Sequence, residues 1–212
     1  MDFTILCSSR EHPIYQEILK WTNTKSSNHN ISVVNKSQDV TNGDILFLIS
    51  CTEMITKNIR DNFKHTLVIH ESDVPYGRGW SPLVWQILEG KNKITITLLE
   101  AIDKVDAGNI WKKEIIDIEN HEMIEEINEK LFSTKLKLVE FAIENMNNIK
   151  STSQNDVDGS YYSQRTPKDS KLNINDSIVN QFNLLRIADK IRYPCYFEYL
   201  DHKYKIIMEK ID

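Results

Sequence analysis

Cysteine is scarce in this chain of 212 residues, which has only three: Cys7, Cys51 and Cys195. They lie far apart, each beside apolar residues, where a free cysteine behaves as a small core side chain. No Cys-x-x-Cys or His-x-x-x-His pair is present, which excludes the common arrangements of metal ligands. The sequence therefore predicts free thiols, no bound metal and a reducing compartment, the cytoplasm.

Long apolar runs, basic blocks and phosphate-binding glycine motifs are also missing. No segment approaches the length of a membrane span, and the N-terminus lacks the pattern of a signal peptide. The formal charge of −5, from 31 acidic and 26 basic residues, weighs against a nucleic-acid partner. Ser8-Ser9-Arg10 stands where a dinucleotide-binding loop needs glycines, and no Gly-x-x-x-x-Gly-Lys-Ser/Thr loop occurs, so NAD and ATP are disfavoured.

What is present is an alternation of short apolar runs with helical patterns. The apolar runs predict buried strands, and the spacing of apolar residues between them predicts helices. The predicted strands are 3–7, 31–34, 44–49, 67–69, 93–99 and 109–118, and the main predicted helices are 13–21, 55–63, 82–89 and 121–146. This order is typical of an α/β protein with a Rossmann-like doubly wound sheet.

The composition changes between residues 147 and 160, where Ser, Asn, Asp, Thr and Gln predominate, as in a loop or linker. We therefore predict a Rossmann-like domain over residues 1–150, and a linker with a short C-terminal extension over residues 151–212. The extension should contain a helix over 176–190 and a β-hairpin over 196–208 that turns near Asp201 and His202. The aromatic-rich edge of this hairpin could pair with a second copy and form a homodimer.

The most informative segment starts at His70. An apolar run over residues 66–69 leads directly into this histidine, a loop rich in Pro, Gly and Arg follows, and Asp106 and Gly108 come about one hairpin later. Open α/β sheets present catalytic groups in this way at the carboxyl edge of their strands. Taken alone, such a histidine can also be a hydrogen-bonded structural residue, and an Asp-x-Gly can be a simple turn.

These two segments resemble the signature of the formyltetrahydrofolate-dependent formyltransferases. The family pattern is His-x-Ser-x-Leu-Pro-x-x-Arg-Gly-x-x-Pro, followed by Asp-x-Gly after a helix and a strand. In this chain the pattern reads His70, Ser72, Val74 in place of Leu, Pro75, Arg78, Gly79 and Pro82, and then Asp106 and Gly108. The resemblance implies a formyltransferase fold with N10-formyltetrahydrofolate as co-substrate and no metal.

Formyl transfer requires an amine to attack a formamide-like carbon, which builds negative charge on oxygen and positive charge on nitrogen. A site for this reaction needs donors aimed at the oxygen and a route for the amine proton. By the resemblance, His70 is the oxyanion donor. Asp106 is the residue that orients the histidine and accepts the proton.

One position departs from the family pattern. The family carries Asn two residues before the histidine as a second oxyanion donor, and this chain has Val68 there. Losing one such donor typically costs about a hundred- to a thousand-fold in rate. Three explanations are open: Ser72, Asn92 or a loop backbone N–H replaces the donor; this branch works with fewer donors; or the protein is a catalytically dead module that binds folate or a nucleotide.

The resemblance also implies where the co-substrate binds. Its pterin should lie between the loop at 50–54 and the stretch 98–106, with binding residues Cys51, Thr52, Met54, Arg78, Gly79, Leu99, Ile102 and Val105. Arg78 could instead fix its own loop through an ion pair. The apolar residues of this set could be plain core.

The segment 164–170, Gln-Arg-Thr-Pro-Lys-Asp-Ser, resembles an element shared by most aminosugar members of the family. It implies that the acceptor is a nucleotide-linked 4-amino-4,6-dideoxy sugar, as in the pseudaminic-acid-pathway type, bound by Ser72, Arg165, Asn183, Arg186, Tyr193 and Tyr196. A helix face with Arg beside an aromatic hairpin suits a sugar nucleotide, although a solvated helix face is the alternative. Glycinamide ribonucleotide, peptide-tailoring and methionyl-tRNA formyltransferases are the competing types.

Overall fold

A six-stranded sheet forms the centre of the computed structural model, which describes residues 1–154 and 158–211. Its elements, in chain order, are β1 (Asp2–Leu6), α1 (Ile14–Lys25), β2 (Asn30–Val34), β3 (Gly43–Leu48), α2 (Lys57–Arg60), β4 (Phe63–His70), β5 (Arg78–Gly79), α3 (Pro82–Leu88), β6 (Lys93–Glu100), β7 (Ile110–Asp117), α4 (Ile124–Asn145), β8 (Tyr161–Tyr162), α5 (Phe182–Arg186), β9 (Cys195–Tyr199) and β10 (His202–Ile206). Short 3₁₀ helices span Ser37–Asp39 and Pro167–Ser170.

The sheet has the strand order β2-β1-β3-β4-β6-β7. β1 pairs in parallel with β2 and β3, and β3 with β4, whereas β6 runs antiparallel to both β4 and β7. The loop over residues 101–109 is too short for the crossover that a parallel pair needs, so β6 and β7 must be antiparallel. The predicted α/β fold with a mostly parallel central sheet is confirmed, with the antiparallel pair β6 and β7 at one edge of the sheet.

Both faces of the sheet are covered. Helices α1 and α4 pack on the larger apolar core, to which Ile18, Ile127 and Val139 contribute. The smaller core on the other face contains Leu46 and is flanked by Ile59 of α2. Full burial of each such side chain stabilises the fold by roughly 1.5–3 kcal/mol. The carboxyl edge of β4, where His70 lies, is therefore held from both sides.

The predicted helix over residues 176–190 is wrong in its extent, because only Phe182–Arg186 is helical. The polar side chains before it hydrogen-bond to nearby backbone N–H groups. Asn173 Oδ1 accepts from the N–H of Asn175, and Ser177 Oγ accepts from the N–H of Asn180. Such local bonds give the backbone an alternative to the helix, which is why Asn and Ser favour turns over helix interiors.

The predicted C-terminal hairpin is confirmed as β9 and β10. Leu200 and Asp201 turn the chain, both with positive φ, as a tight two-residue hairpin requires. The hairpin and α5 share a small apolar cluster of Leu172, Leu185 and Cys195. Ile187 of the same extension packs into the larger core of the sheet, and the domain boundary near residue 150 stays a prediction.

Among the residues that the structure describes, no helix is both long enough and apolar enough to cross a membrane.

Candidate active site

His70 is the last residue of β4 and is only 5% exposed. Its Nε2 lies 2.8 Å from the carbonyl oxygen of Gly77, and its Nδ1 lies 3.6 Å from Oδ2 of Asp106. The first distance is a hydrogen bond, and the second is longer than one. Because a carbonyl oxygen can only accept, Gly77 selects a ring with a hydrogen on Nε2 and leaves Nδ1 facing Asp106.

Asp106 lies in the loop that joins β6, the neighbour of β4 in the sheet, to β7. Its φ of +50° is left-handed, a conformation that Asp and Asn tolerate better than most residues. Its Oδ2 accepts a 2.9 Å hydrogen bond from the N–H of Gly79. Gly108 allows the loop to approach β6, since a Cβ there would lie 2.0 Å from the carbonyl oxygen of Glu100. The Asp-x-Gly motif therefore turns the chain tightly beside β6, in the loop that places the carboxylate against His70.

Arg78 fixes the loops around the pair and does not line the cavity beside it. Its Nε donates to the carbonyl oxygen of Asp106 at 3.1 Å, and its guanidinium also donates to Oε1 of Gln154 at 2.5 Å. Gln154 in turn donates to the carbonyl oxygens of Asp106 and Gly108, at 2.9 Å each. The structure thus shows a loop-fixing role for Arg78, made through neutral acceptors and not through an ion pair, and the binding of the co-substrate by Arg78 stays a prediction.

A cavity of about 410 Å³ opens beside His70 and Asp106, a size that suits a small organic ligand. Six of the eight predicted co-substrate residues line this first cavity: Cys51, Thr52, Met54, Gly79, Ile102 and Val105. Leu99 does not line it, because it is fully buried in β6 opposite Val68. The structure therefore places Leu99 in the core, and its contact with the co-substrate stays a prediction that the structure does not support. Ser50 and Glu53 of the predicted loop at 50–54 line it as well, whereas sequence reasoning missed Leu48, Ser81 and Tyr161.

A second cavity of about 270 Å³ adjoins the first. Four residues line both cavities: Thr52, Glu71, Trp80 and Ser81. Arg165 and Tyr193 of the predicted acceptor set line the second cavity, and the sequence had not indicated His12, Lys135, Asp189 and Arg192, which line it as well. The two cavities therefore form one site with two compartments, which meet at the loop that follows His70.

Four predicted acceptor-binding residues lie elsewhere. Arg186 is 1% exposed, and its guanidinium donates to the backbone carbonyls of Glu119 and Glu122 and to Oδ1 of Asn183. Arg186 and Asn183 thus join α5 to the segment before α4, and neither lines a cavity beside His70. Ser72 is buried behind the loop, and Tyr196 lies in β9 with Lys203 over its ring. The structure places these four residues outside the lining of both cavities, and their binding of the acceptor stays a prediction that it does not support.

Val68 lines the first cavity at the position where the family pattern has Asn. Of the suggested replacements for that donor, Asn92 is exposed at the start of β6 and lines neither cavity, and Ser72 also lines neither. Both suggestions are corrected. The residues with side-chain hydroxyls that do line the first cavity are Ser50, Thr52, Ser81 and Tyr161.

Glu71 and Lys135 form an ion pair that the sequence analysis did not anticipate. Lys135 is fully buried in the apolar face of α4, where an unpaired lysine would be strongly destabilising. Burial raises the pKa of Glu71, but the nearby charges of Lys135 and His70 outweigh this effect, so the pKa lies below its ordinary value. The signal that could have revealed the pair is a lysine within the apolar stripe of a long helix, which implies a buried acidic partner.

His12 faces the same charges. Burial, together with the positive charges of Lys135 and Arg192, lowers its pKa to about 4. Its Nδ1 accepts the N–H of Ile14 at the start of α1, a bond that a protonated ring could not make. His12 is therefore a neutral residue that accepts a backbone N–H at the start of α1.

Thiol and metal chemistry gain no support from the residues described. Burial raises the pKa of the Cys51 thiol, which disfavours the reactive thiolate in the first cavity. Within residues 1–154 and 158–211, no three His, Cys, Asp or Glu side chains group closely enough to hold a metal ion.

The fold and the His–Asp pair are those that the formyltransferase signature implied, and comparison with known proteins gives the family directly. A family model described as "Formyl transferase" matches residues 6–141. The chain therefore belongs to the formyl transferase family.

The chain is similar to family members with different acceptors. It is 29% identical over 206 residues to a methionyl-tRNA formyltransferase of Rickettsia massiliae, an alignment that covers 92% of this chain and 65% of that protein. The methionyl-tRNA formyltransferase structure from Clostridium thermocellum has 19% identity and a TM-score of 0.85, covering 100% of this chain and 94% of that one. A sugar N-formyltransferase structure from a Shewanella species has 16% identity and a TM-score of 0.72, covering 100% and 99%. These structures establish the fold but do not decide between acceptors.

Proposed function

We propose that this protein transfers the formyl group of N10-formyltetrahydrofolate to the amine of a nucleotide-linked 4-amino-4,6-dideoxy sugar. The observation that carries the proposal is the position of His70 and Asp106 on the wall of a cavity that adjoins a second, cationic one. Family membership supports the formyl transfer and the folate co-substrate. The sugar nucleotide is supported by the side chains of the second cavity. The chain spans 65% of the length of the Rickettsia relative, so the activity is proposed for this chain and not transferred from it.

The first cavity suits the folate. Its apolar side chains Ile102 and Val105 are 43% and 36% exposed and can cover the flat faces of a pterin. Ser50, Thr52 and the loop backbone offer hydrogen bonds to the polar edge of the ring. The formyl group would then lie beside His70 and Asp106, at the boundary with the second cavity.

The reaction joins the amine nitrogen to the formyl carbon and breaks the bond between that carbon and N10. The amine loses one proton, N10 gains one, and the negative charge on the formyl oxygen is transient. Since Nε2 of His70 donates to Gly77, the nitrogen available to donate to this oxygen is Nδ1. A ring that donates from both nitrogens carries a positive charge. Asp106 stabilises the positive ring and can take the amine proton directly or through water. Its 3.6 Å separation from Nδ1 is of the kind that shortens when a substrate binds.

The second cavity suits the sugar nucleotide. Arg165 and Arg192 can bind phosphate oxygens through their planar guanidinium groups, and Tyr193, 43% exposed, can cover a base or sugar ring. Counting Lys135, Arg165 and Arg192 against Glu71 and Asp189, the charged lining has one more positive charge than negative. That balance favours an anionic acceptor.

Methionyl-tRNA is the second candidate acceptor, because the Rickettsia relative is named a methionyl-tRNA formyltransferase. The net charge of −5 weighs against binding a long polyphosphate backbone. Glycinamide ribonucleotide and peptide amines would need a cavity of similar polarity. Assembly as a homodimer stays a prediction.

The test is the release of tetrahydrofolate from N10-formyltetrahydrofolate in the presence of UDP- and dTDP-linked 4-amino sugars, with methionyl-tRNA in parallel. We expect release that depends on one sugar nucleotide, with the formylated sugar identified by mass spectrometry. Formylation of methionyl-tRNA alone would replace the acceptor. Binding of folate without release for any amine would identify a dead binding module.

Asp106→Asn is the control protein for this assay. Asn tolerates the positive φ of this position, and its amide oxygen can still accept from the N–H of Gly79. We expect folate binding to persist and kcat to fall by about a hundred- to ten-thousand-fold, the usual contribution of a group that moves protons. A rate near that of the wild type would remove Asp106 from the proposed mechanism.

A further inference from the structure

Glu71 occupies the junction of the two cavities. It directly follows His70, and it is one of four residues that line both compartments. The other three, Thr52, Trp80 and Ser81, are neutral. Glu71 is therefore the one charged group among the described residues that reaches both the formyl donor and the acceptor cavity.

Lys135 holds this carboxylate in its ionised form and in one place. The ammonium of Lys135 contacts Oε1 of Glu71 from the buried side, where α4 packs under the loop. The Glu71 side chain remains 18% exposed, so the pair does not remove it from the cavities. A carboxylate offers about four lone-pair positions, and one ammonium contact leaves room for another donor.

The charges of the second cavity are distributed unevenly. Arg165 and Arg192 line the second cavity and not the first, whereas Glu71 lines both. Asp189 is bound by Nε of Arg192 at 2.6 Å. Arg165 donates to the carbonyl oxygen of Asp169 and to Ser170 Oγ, while its buried Nε has no partner among the described residues. The cavity thus has the Glu71–Lys135 pair where it meets the formyl site and guanidinium groups beyond it.

We propose that Glu71 recognises the amine of the acceptor by accepting a hydrogen bond from it, and so selects amino sugars over their hydroxyl counterparts. The inference rests on the proposed function and names a specificity-determining residue for it. An amine bound by Glu71 lies next to His70 and Asp106, with the anionic part of the acceptor toward Arg165. The amine binds as an ammonium, and a hydroxyl in the same place would be held more weakly because it carries no positive charge to pair with the carboxylate. The ammonium passes one proton to solvent before its nitrogen can attack, and the neutral amine loses its second proton during the transfer.

The test compares dTDP-4-amino-4,6-dideoxyglucose with dTDP-6-deoxyglucose, which carries a hydroxyl in place of the amine. Binding of both is measured by calorimetry, and formylation of the amino sugar by steady-state kinetics. We expect the wild type to bind the amino sugar about 10- to 100-fold more tightly than the hydroxyl sugar, the range of a hydrogen bond to a charged group. Equal binding of the two sugars by the wild type would overturn the proposal without any variant.

Glu71→Gln and the double variant Glu71→Gln/Lys135→Met test the residue itself. Glu71→Gln alone leaves the buried Lys135 without its charged partner. The double variant removes that lysine as well, and it is therefore expected to fold. We expect the preference for the amine to disappear and KM for the amino sugar to rise about 10- to 100-fold. Binding of the hydroxyl sugar and of 5-formyltetrahydrofolate should not change. Glu122→Gln is the matched control, because Glu122 also pairs with a lysine, Lys130, and lies outside both cavities.

The outcomes separate the two proposals. If the wild type formylates the amino sugar and the Glu71 variants keep the preference for it, Glu71 is a structural residue and only this inference fails. If the wild type formylates no sugar nucleotide, the proposed function fails, and the assignment of Glu71 to an amino sugar fails with it.

Discussion

At the scale of single residues, Val68 is the position that separates this chain from its family pattern. It lies two residues before His70 and lines the first cavity, opposite Leu99 in the sheet. A valine side chain can donate no hydrogen bond to a developing oxyanion. Residues with side-chain hydroxyls line the cavity, but a hydroxyl differs from an amide in reach and direction.

We predict that Val68→Asn increases kcat for formyl transfer, by up to about a hundred-fold, because it supplies a second donor beside His70. Steady-state kinetics with the sugar nucleotide measures the effect. Val68→Leu, which matches Asn in shape without its amide, should give no gain. If Val68→Asn left kcat unchanged, another group would already supply the donor.

At the scale of secondary-structure elements, one arginine fixes the C-terminal extension to the sheet domain. Arg186, at the end of α5, is almost completely buried and donates 2.9 Å and 3.3 Å hydrogen bonds to the carbonyl oxygens of Glu119 and Glu122. These carbonyls precede α4, which packs on the central sheet. The extension therefore depends on a polar contact as well as on its small apolar cluster.

We predict that Arg186→Met lowers the free energy of unfolding by roughly 2–4 kcal/mol, since each buried acceptor left without a donor costs about 1–3 kcal/mol. Urea unfolding followed by circular dichroism measures the change. Lys190→Met, which removes the partner of Glu125 and Glu209 on the surface, should change it little. A phosphate-binding role for Arg186 would instead leave stability intact and raise KM, which would contradict this account.

At the scale of the whole molecule, a cluster of buried charges links α1, α4 and the loop after His70. Burial opposes a positive charge on His12, and the charges of Lys135 and Arg192 oppose it further, so the folded protein holds this ring neutral. The unfolded chain binds a proton at an ordinary pKa of 6.5, and the folded one at about 4. Between these values the unfolded state binds more protons, and stability must fall as the pH falls.

We predict that the contribution of His12 is fully present above pH 6.5 and is lost progressively toward pH 4, by about 1–3 kcal/mol. Urea unfolding at a series of pH values gives the slope. His12→Asn should flatten the curve in this window, because an amide oxygen can accept the N–H of Ile14 without titrating. His202→Asn, at an exposed hairpin position, is the control and should leave the curve unchanged. Equal slopes for wild type and His12→Asn would contradict the assignment.

The parts of this protein that follow from local pattern could be predicted from its sequence. The run before His70 is apolar and short, so it predicts a buried strand, and the periodicity of α4 predicts its buried face. The helix over 176–190 could not be predicted in the same way. Its apolar residues have helical spacing, but within this range the side chain of Ser177 accepts the N–H of Asn180, and propensity alone does not decide such a competition.

By itself, the sequence determined the strands, the long helix, the family and the pair His70 and Asp106, because these depend on short motifs and on residue spacing. Only the tertiary structure decided that Arg165 faces a cavity while Arg186 is buried against backbone carbonyls. The two arginines lie in similarly polar segments, and burial is a property of the surroundings. The pairing of Glu71 with Lys135 was likewise decided by the packing of α4 beneath the loop. Contacts between distant segments carry no local pattern, so the position of Lys135 in an apolar stripe could indicate a buried acidic partner but not which residue it is.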